Sequence, residues 1–136
     1  MQLTENFTLE EMIYSSTAKF KGIRNIPSSE ESLSLKRLCE EILQPIRSKF
    51  GSAITVTSGF RNKLLNKAVR GAENSQHTRG EAADIVCNDN KKLWDLICEM
   101  ILAGEITVGQ LIDEKSLRWI HISLPDSTHL NQILHL

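Results

Sequence analysis

His77 and Asp84 stand seven residues apart in the stretch SQHTRGEAADI, residues 75–85, with Gly80 between them. An imidazole and a carboxylate at that separation suit two ligands of a metal ion. Asp84 opens an apolar run that reads as a strand, where a carboxylate is disfavoured and costly to bury unless paired or bound to a cation. A third ligand is available downstream. His121 lies in Leu117-Arg118-Trp119-Ile120-His121-Ile122-Ser123, whose alternation puts Leu117, Trp119, His121 and Ser123 on one face. Two histidines and one carboxylate make a catalytic zinc set, three protein ligands with the fourth position left for water. Residue chemistry alone equally fits a hydrogen-bonded, partly buried strand histidine, and an isolated His-x6-Asp spacing also arises by chance.

These residues need a frame. Thr8 with Glu11, and Ser28 with Glu31, form capping boxes that start two helices. After the second, Leu35, Leu38, Cys39, Ile42, Leu43 and Ile46 recur at helical spacing, with Pro45 bending the last turn. Residues 17–27 read as a loop broken by Gly22 and Pro27. Ile54 to Thr57 is β-branched and reads as a strand ending at Ser58-Gly59, and Asn62 to Val69 as a short helix closed by Gly71. Ala82 to Cys87 is a second strand, and Lys91 to Ala103 a helix stopped by Gly104. Gln110 to Asp113 and Leu117 to Ser123 read as an antiparallel hairpin, while the tail from Pro125 carries no clear signal. Helices first, then strands with interspersed helices, predicts an α+β fold with a small, mostly antiparallel sheet.

The 136 residues suit one domain, 1–136, with a real core. A net charge of −1 leaves no basic footprint for nucleic acid and no polybasic membrane patch. No run reaches transmembrane length, and the first residues lack a signal-peptide pattern, so synthesis in the cytoplasm is expected. Cys39, Cys87 and Cys98 have no CxxC spacing and read as reduced structural thiols.

Three motifs come in a telling order: Ser58-Gly59-Phe60-Arg61, Ser75-x-His77-x-x-Gly80-x-Ala82-x-Asp84, and Trp119-Ile120-His121. Together they resemble the M15 metallopeptidases, zinc D-Ala-D-Ala carboxypeptidases and related phage endolysin peptidases. Leu3-Thr4-x-Asn6-Phe7-Thr8-Leu9-x-Glu11 and Leu43-Gln44-Pro45-Ile46-Arg47 resemble the small phage or prophage branch. The resemblance runs from about residue 3 to residue 123. It implies a hedgehog/DD-peptidase-like fold with helices packed on one side of the sheet. It implies one Zn2+ per chain on His77, Asp84 and His121, and Arg61 holding a substrate carboxylate or the oxygen charged in the transition state. Ser75 would be a polar contact to the peptide. The implied activity is hydrolysis of peptidoglycan stem peptides through a zinc-activated water, by a monomer acting at the bacterial cell wall.

The pattern departs from the family at the general base. Many relatives place a glutamate three residues before the last zinc histidine, or a histidine two before it. Here Arg118 and Trp119 stand there, and neither takes a proton from water at neutral pH. If Lys115-Ser116 is a two-residue hairpin turn, Glu114 pairs with Leu117, Asp113 with Arg118, and Gln110 with His121. Glu114 then shares the His121 face from four residues away, roughly 13 Å at strand rise. Gln110 would be the near neighbour, able to orient a water but not to deprotonate it. The family resemblance nonetheless makes Glu114 the base candidate. The missing base also leaves open a catalytically silent zinc domain that binds wall peptide, and a metal-free structural or interaction module.

Overall fold

The computed structural model describes residues 1–136. Six α-helices precede or interleave with five strands: α1 Leu9–Ile13, α2 Ser16–Lys21, α3 Ser29–Leu38, α4 Gln44–Phe50, β1 Thr55–Ser58, α5 Lys63–Ala68, β2 Ala82–Val86, α6 Asn90–Leu102, β3 Gln110–Glu114, β4 Trp119–Ser123 and β5 Gln132–His135. Both capping boxes form, Thr8 with Glu11 and Ser28 with Glu31. A π-turn, Cys39–Leu43, joins α3 to α4. Pro45 cannot donate to the carbonyl four residues back and its ring crowds it, so the strain is taken up in the wider turn just before it.

The strands run in the order β1-β2-β4-β3-β5. The first three pairings are antiparallel, and β5 adds parallel to β3. Ala83, Ile85, Leu111, Ile120 and Ile122 bury one sheet face against Leu35, Leu38 and Ile42 of the long helical segment and Leu93 and Ile97 of α6. Full burial of each large aliphatic side chain contributes about 1.5–3 kcal/mol. That layer holds the sheet to the helices, whereas an exposed pair such as Lys91–Asp95 lies within α6 and joins no two elements. The α+β fold with helices on one side of a mostly antiparallel sheet is therefore as expected. No helix is long and apolar enough to cross a membrane.

Three expectations need correction. The stretch 17–27, read as loop, begins within a helix, α2 Ser16–Lys21, capped by Ser15 Oγ on the Ala18 N–H and ended by Gly22 at φ 69°. The left-handed residue after α5 is Arg70, at φ 59°, so Gly71 serves some other purpose. The hairpin register is also different. Glu114 pairs with Trp119, Asp113 with Ile120 and Ile112 with His121. Lys115, Ser116 and Leu117 all adopt positive φ, and the Arg118 N–H closes on the Glu114 carbonyl at 3.0 Å, so the connection holds four residues rather than two. Asp113 fixes it by accepting the Leu117 N–H at 2.6 Å through Oδ1. Its Oδ2 pairs with His135 at 3.1 Å, not with Arg118. The uncommitted tail becomes β5, a parallel partner that no local pattern announces.

Candidate metal centre

Strand pairing brings the candidate ligands together. Asp84 on β2 lies opposite Ser58 on β1 and opposite His121 on β4, so all three share one sheet face away from the apolar layer. His77 arrives from a single 3-10 turn, Gln76–Arg79, next to β2. Ser75 caps that turn, its Oγ accepting the His77 N–H at 3.1 Å. Gly80 closes it at φ 73°, and a Cβ there would sit 2.5 Å from the Glu31 carbonyl oxygen. Both the conformation and the close approach require glycine.

The His77 ring is buried, and its Nδ1 lies 2.7 Å from the Gly59 carbonyl oxygen. A carbonyl only accepts, so Nδ1 carries a proton, and in the neutral ring Nε2 is left with its lone pair. Nε2 is buried without a hydrogen-bond partner, although Asp84 Oδ1 is only 3.3 Å away. Two acceptors facing each other in a buried site are unfavourable unless a cation lies between them. His121 Nδ1 is 3.0 Å from the same oxygen. The three donor atoms all lie within 4.8 Å of one another. The chemistry of this set, two imidazole nitrogens and one carboxylate oxygen, fits zinc.

The second carboxylate oxygen is engaged elsewhere. Arg61 Nη2 reaches Asp84 Oδ2 at 3.4 Å, within a largely buried ion pair. Burial alone would push the Asp84 carboxyl up, but the His121 and His77 imidazoles, when they carry protons toward it, outweigh burial and hold the group well below the usual carboxylate range. Burial likewise pulls the Arg61 guanidinium down, with Asp84 acting in the opposite direction. The backbone N–H of Arg61 donates to the His77 carbonyl at 3.0 Å, tying the two loops together.

Residues 5–123 match the family model described as Peptidase M15. The chain belongs to this peptidase family. The match spans all three candidate ligands and closes before β5. No match is found among curated proteins. M15 peptidases are zinc-dependent in general, and this M15 chain carries a donor set of the required kind.

Other predicted site residues are placed unevenly in this M15 domain. Arg61 is at the centre. Ser75 spends its hydroxyl oxygen on the cap that orients His77. Gln110 is not the neighbour of His121: Ile112 takes that place, and the Gln110 side chain donates to Gln132 Oε1 at 2.8 Å. The register change moves Glu114 inward. It stands opposite Trp119, two residues from His121, a diagonal neighbour at about 7–8 Å rather than a position four residues away. The remaining histidines lie elsewhere, His129 on Asp126 and His135 on Asp113.

Sequence reasoning missed two supporting residues, Asn66 and Asn25, and the role of a third, Gly59. Asn66, 5% exposed, accepts from Arg61 Nη1 at 3.0 Å. Asn25 donates to the carbonyls of Ile13 and Phe60 and accepts the Asn62 N–H, fixing the loop that carries Arg61. A Cβ on Gly59 would lie 2.2 Å from the Met12 carbonyl oxygen, so the residue that orients His77 must be glycine. A cavity of about 240 Å³, lined in part by Ser16, Thr57, Ser58 and Arg61, opens beside the centre.

Proposed function

We propose that the chain is a zinc peptidase that hydrolyses peptidoglycan stem peptides, with His77 Nε2, Asp84 Oδ1 and His121 Nδ1 as the protein ligands. The observation that carries this reading is the buried and unpartnered Nε2 of His77, aimed at a carboxylate oxygen in an M15 chain. Zinc bound there would polarise a carbonyl and bring the pKa of a bound water to about 7. The protein's own part is to hold the three donors, keep His77 in one tautomer and bind the peptide. Arg61 uses three of its five N–H donors within the protein, and the other two suit a substrate carboxylate or carbonyl oxygen. The cavity beside it has room for part of a peptide.

Glu114 is the proposed proton acceptor. It enters none of the chain's ion pairs, and its diagonal placement to His121 supports this role. The site of action is the bacterial cell wall, where such peptides occur, and the domain works as a monomer. Incubation of zinc-loaded protein with peptidoglycan, followed by mass spectrometry, tests the activity. New peptide termini that disappear with His121→Ala are expected, and intact peptides would refute it. The second reading, a silent domain that keeps the metal and binds wall peptide, is favoured by Arg118 and Trp119 at the family's usual base positions. It predicts bound peptide and no new termini.

A further inference from the structure

Arg61 is held from three directions. Its Nε–H donates to Ser58 Oγ at 3.0 Å, Nη1 to Asn66 Oδ1 at 3.0 Å, and Nη2 to Asp84 Oδ2 at 3.4 Å. Asn66 is fixed in turn, its Nδ2 donating to the Ala72 carbonyl at 2.9 Å. The packing depends on Gly71, where a Cβ would lie 2.0 Å from Asn66 Oδ1 and 2.7 Å from Arg61 Nη1. Gly71 does not have a positive φ, so its requirement is space rather than backbone freedom. A planar guanidinium bound at three corners cannot swing away from the carboxylate without breaking the other contacts.

The two oxygens of Asp84 therefore have separate partners. Oδ1 faces His121 Nδ1 at 3.0 Å and His77 Nε2 at 3.3 Å, while Oδ2 faces Arg61. A free carboxylate can ligate a metal through one oxygen or both. A second oxygen on the metal would take up the position that a catalytic zinc site leaves open.

We propose that Arg61, aimed by Ser58, Asn66 and Gly71, is a positioning residue that reserves Asp84 Oδ2 and makes Asp84 a one-oxygen metal ligand. The inference rests on the metal-centre reading and adds how many donors the protein offers. Lysine would not replace Arg61, because an ammonium is a point charge without the fork that reaches three acceptors.

Cobalt(II), bound in place of zinc, gives visible absorption whose intensity reports coordination number, so the readout is independent of activity. The wild-type protein is expected to show the intense band of a four-coordinate ion. Arg61→Ala, Arg61→Lys and Gly71→Ala are expected to show a weaker band shifted to shorter wavelength, as the freed oxygen joins the metal. Asn66→Ala, which removes the acceptor for Nη1, is expected to lose the wild-type band in the same way. Should Arg61→Ala fail to fold by circular dichroism, Arg61→Lys and Asn66→Ala carry the test. Folded variants with the wild-type spectrum would overturn the positioning role while leaving the metal site standing. A wild-type protein that takes up neither cobalt nor zinc would overturn the metal-centre reading and this inference with it.

Discussion

The Nδ1–H of His77 donates to the carbonyl of Gly59 across 2.7 Å, and this one bond decides which nitrogen faces the metal centre. Gly59 reaches that position because it lacks a Cβ. Any side chain would begin 2.2 Å from the Met12 carbonyl oxygen, and the next N–H, that of Phe60, already donates to that oxygen at 2.7 Å. Gly59→Ala must push the β1 end away from α1. Overpacking of this kind costs about 1–3 kcal/mol. Loss of an outer partner to a ligating histidine typically weakens metal binding by about 10–100-fold. Denaturant unfolding of the metal-free protein and zinc competition with a chelating dye should show both effects. Unchanged zinc affinity in a destabilised Gly59→Ala would mean that the carbonyl does not orient the ring.

Glu114→Gln keeps the size of the side chain and removes its basicity. The peptidase reading predicts a fall in kcat of about 10²–10⁴-fold, the usual range for a lost general base. Zinc content and melting temperature should stay at wild-type values, because Glu114 is none of the ligands and enters no ion pair. Steady-state kinetics on a defined stem peptide separates the cases. A variant as fast as wild type would show that another group takes the proton.

Buried Cys39 gives a prediction about alkaline pH. Burial, followed by the charges of Glu11 and Glu40, pushes its thiol up from the ordinary 9.0 to about 12. A folded-state pKa above the unfolded value favours the folded protein below pH 9, and that contribution is lost as pH rises from 9 toward 12. Urea unfolding across that window should show falling stability, with a shallower fall in Cys39→Ala. Iodoacetamide near pH 8 should label the half-buried Cys87 and Cys98 in the native protein and reach Cys39 only after unfolding. Prompt native labelling of Cys39 would contradict its burial.

The candidate ligands were legible in the sequence because each is chemically odd where it stands: an aspartate inside an apolar strand, and histidines bracketing it. Helix starts were legible for a similar reason, since Thr8–Glu11 and Ser28–Glu31 are local devices that need no tertiary context. The α2 helix carried the same kind of signal in Ser15 and Gly22, but Gly22 and Pro27 made the whole stretch look like a loop. The β3–β4 register was hidden because three successive non-glycine residues, Lys115, Ser116 and Leu117, take positive φ, which residue type disfavours. That single error moved Glu114 two residues too far from His121 and put Gln110 in the place of Ile112. Asn66 and Gly71 act on Arg61 only once α5 and the following loop have packed. Parallel pairing of β5 on β3 likewise joins distant segments, so no local pattern could announce it.

Everything proposed for the site depends on His77, Asp84 and His121 holding one zinc ion. Metal analysis after zinc loading and exhaustive dialysis tests it directly, on the wild-type protein and on His77→Ala, Asp84→Ala and His121→Ala. About one zinc per wild-type chain is expected, as for a three-residue catalytic centre, with loss of that zinc in each variant. A wild-type chain that retains none, or a His77→Ala chain that retains the full amount, would contradict it.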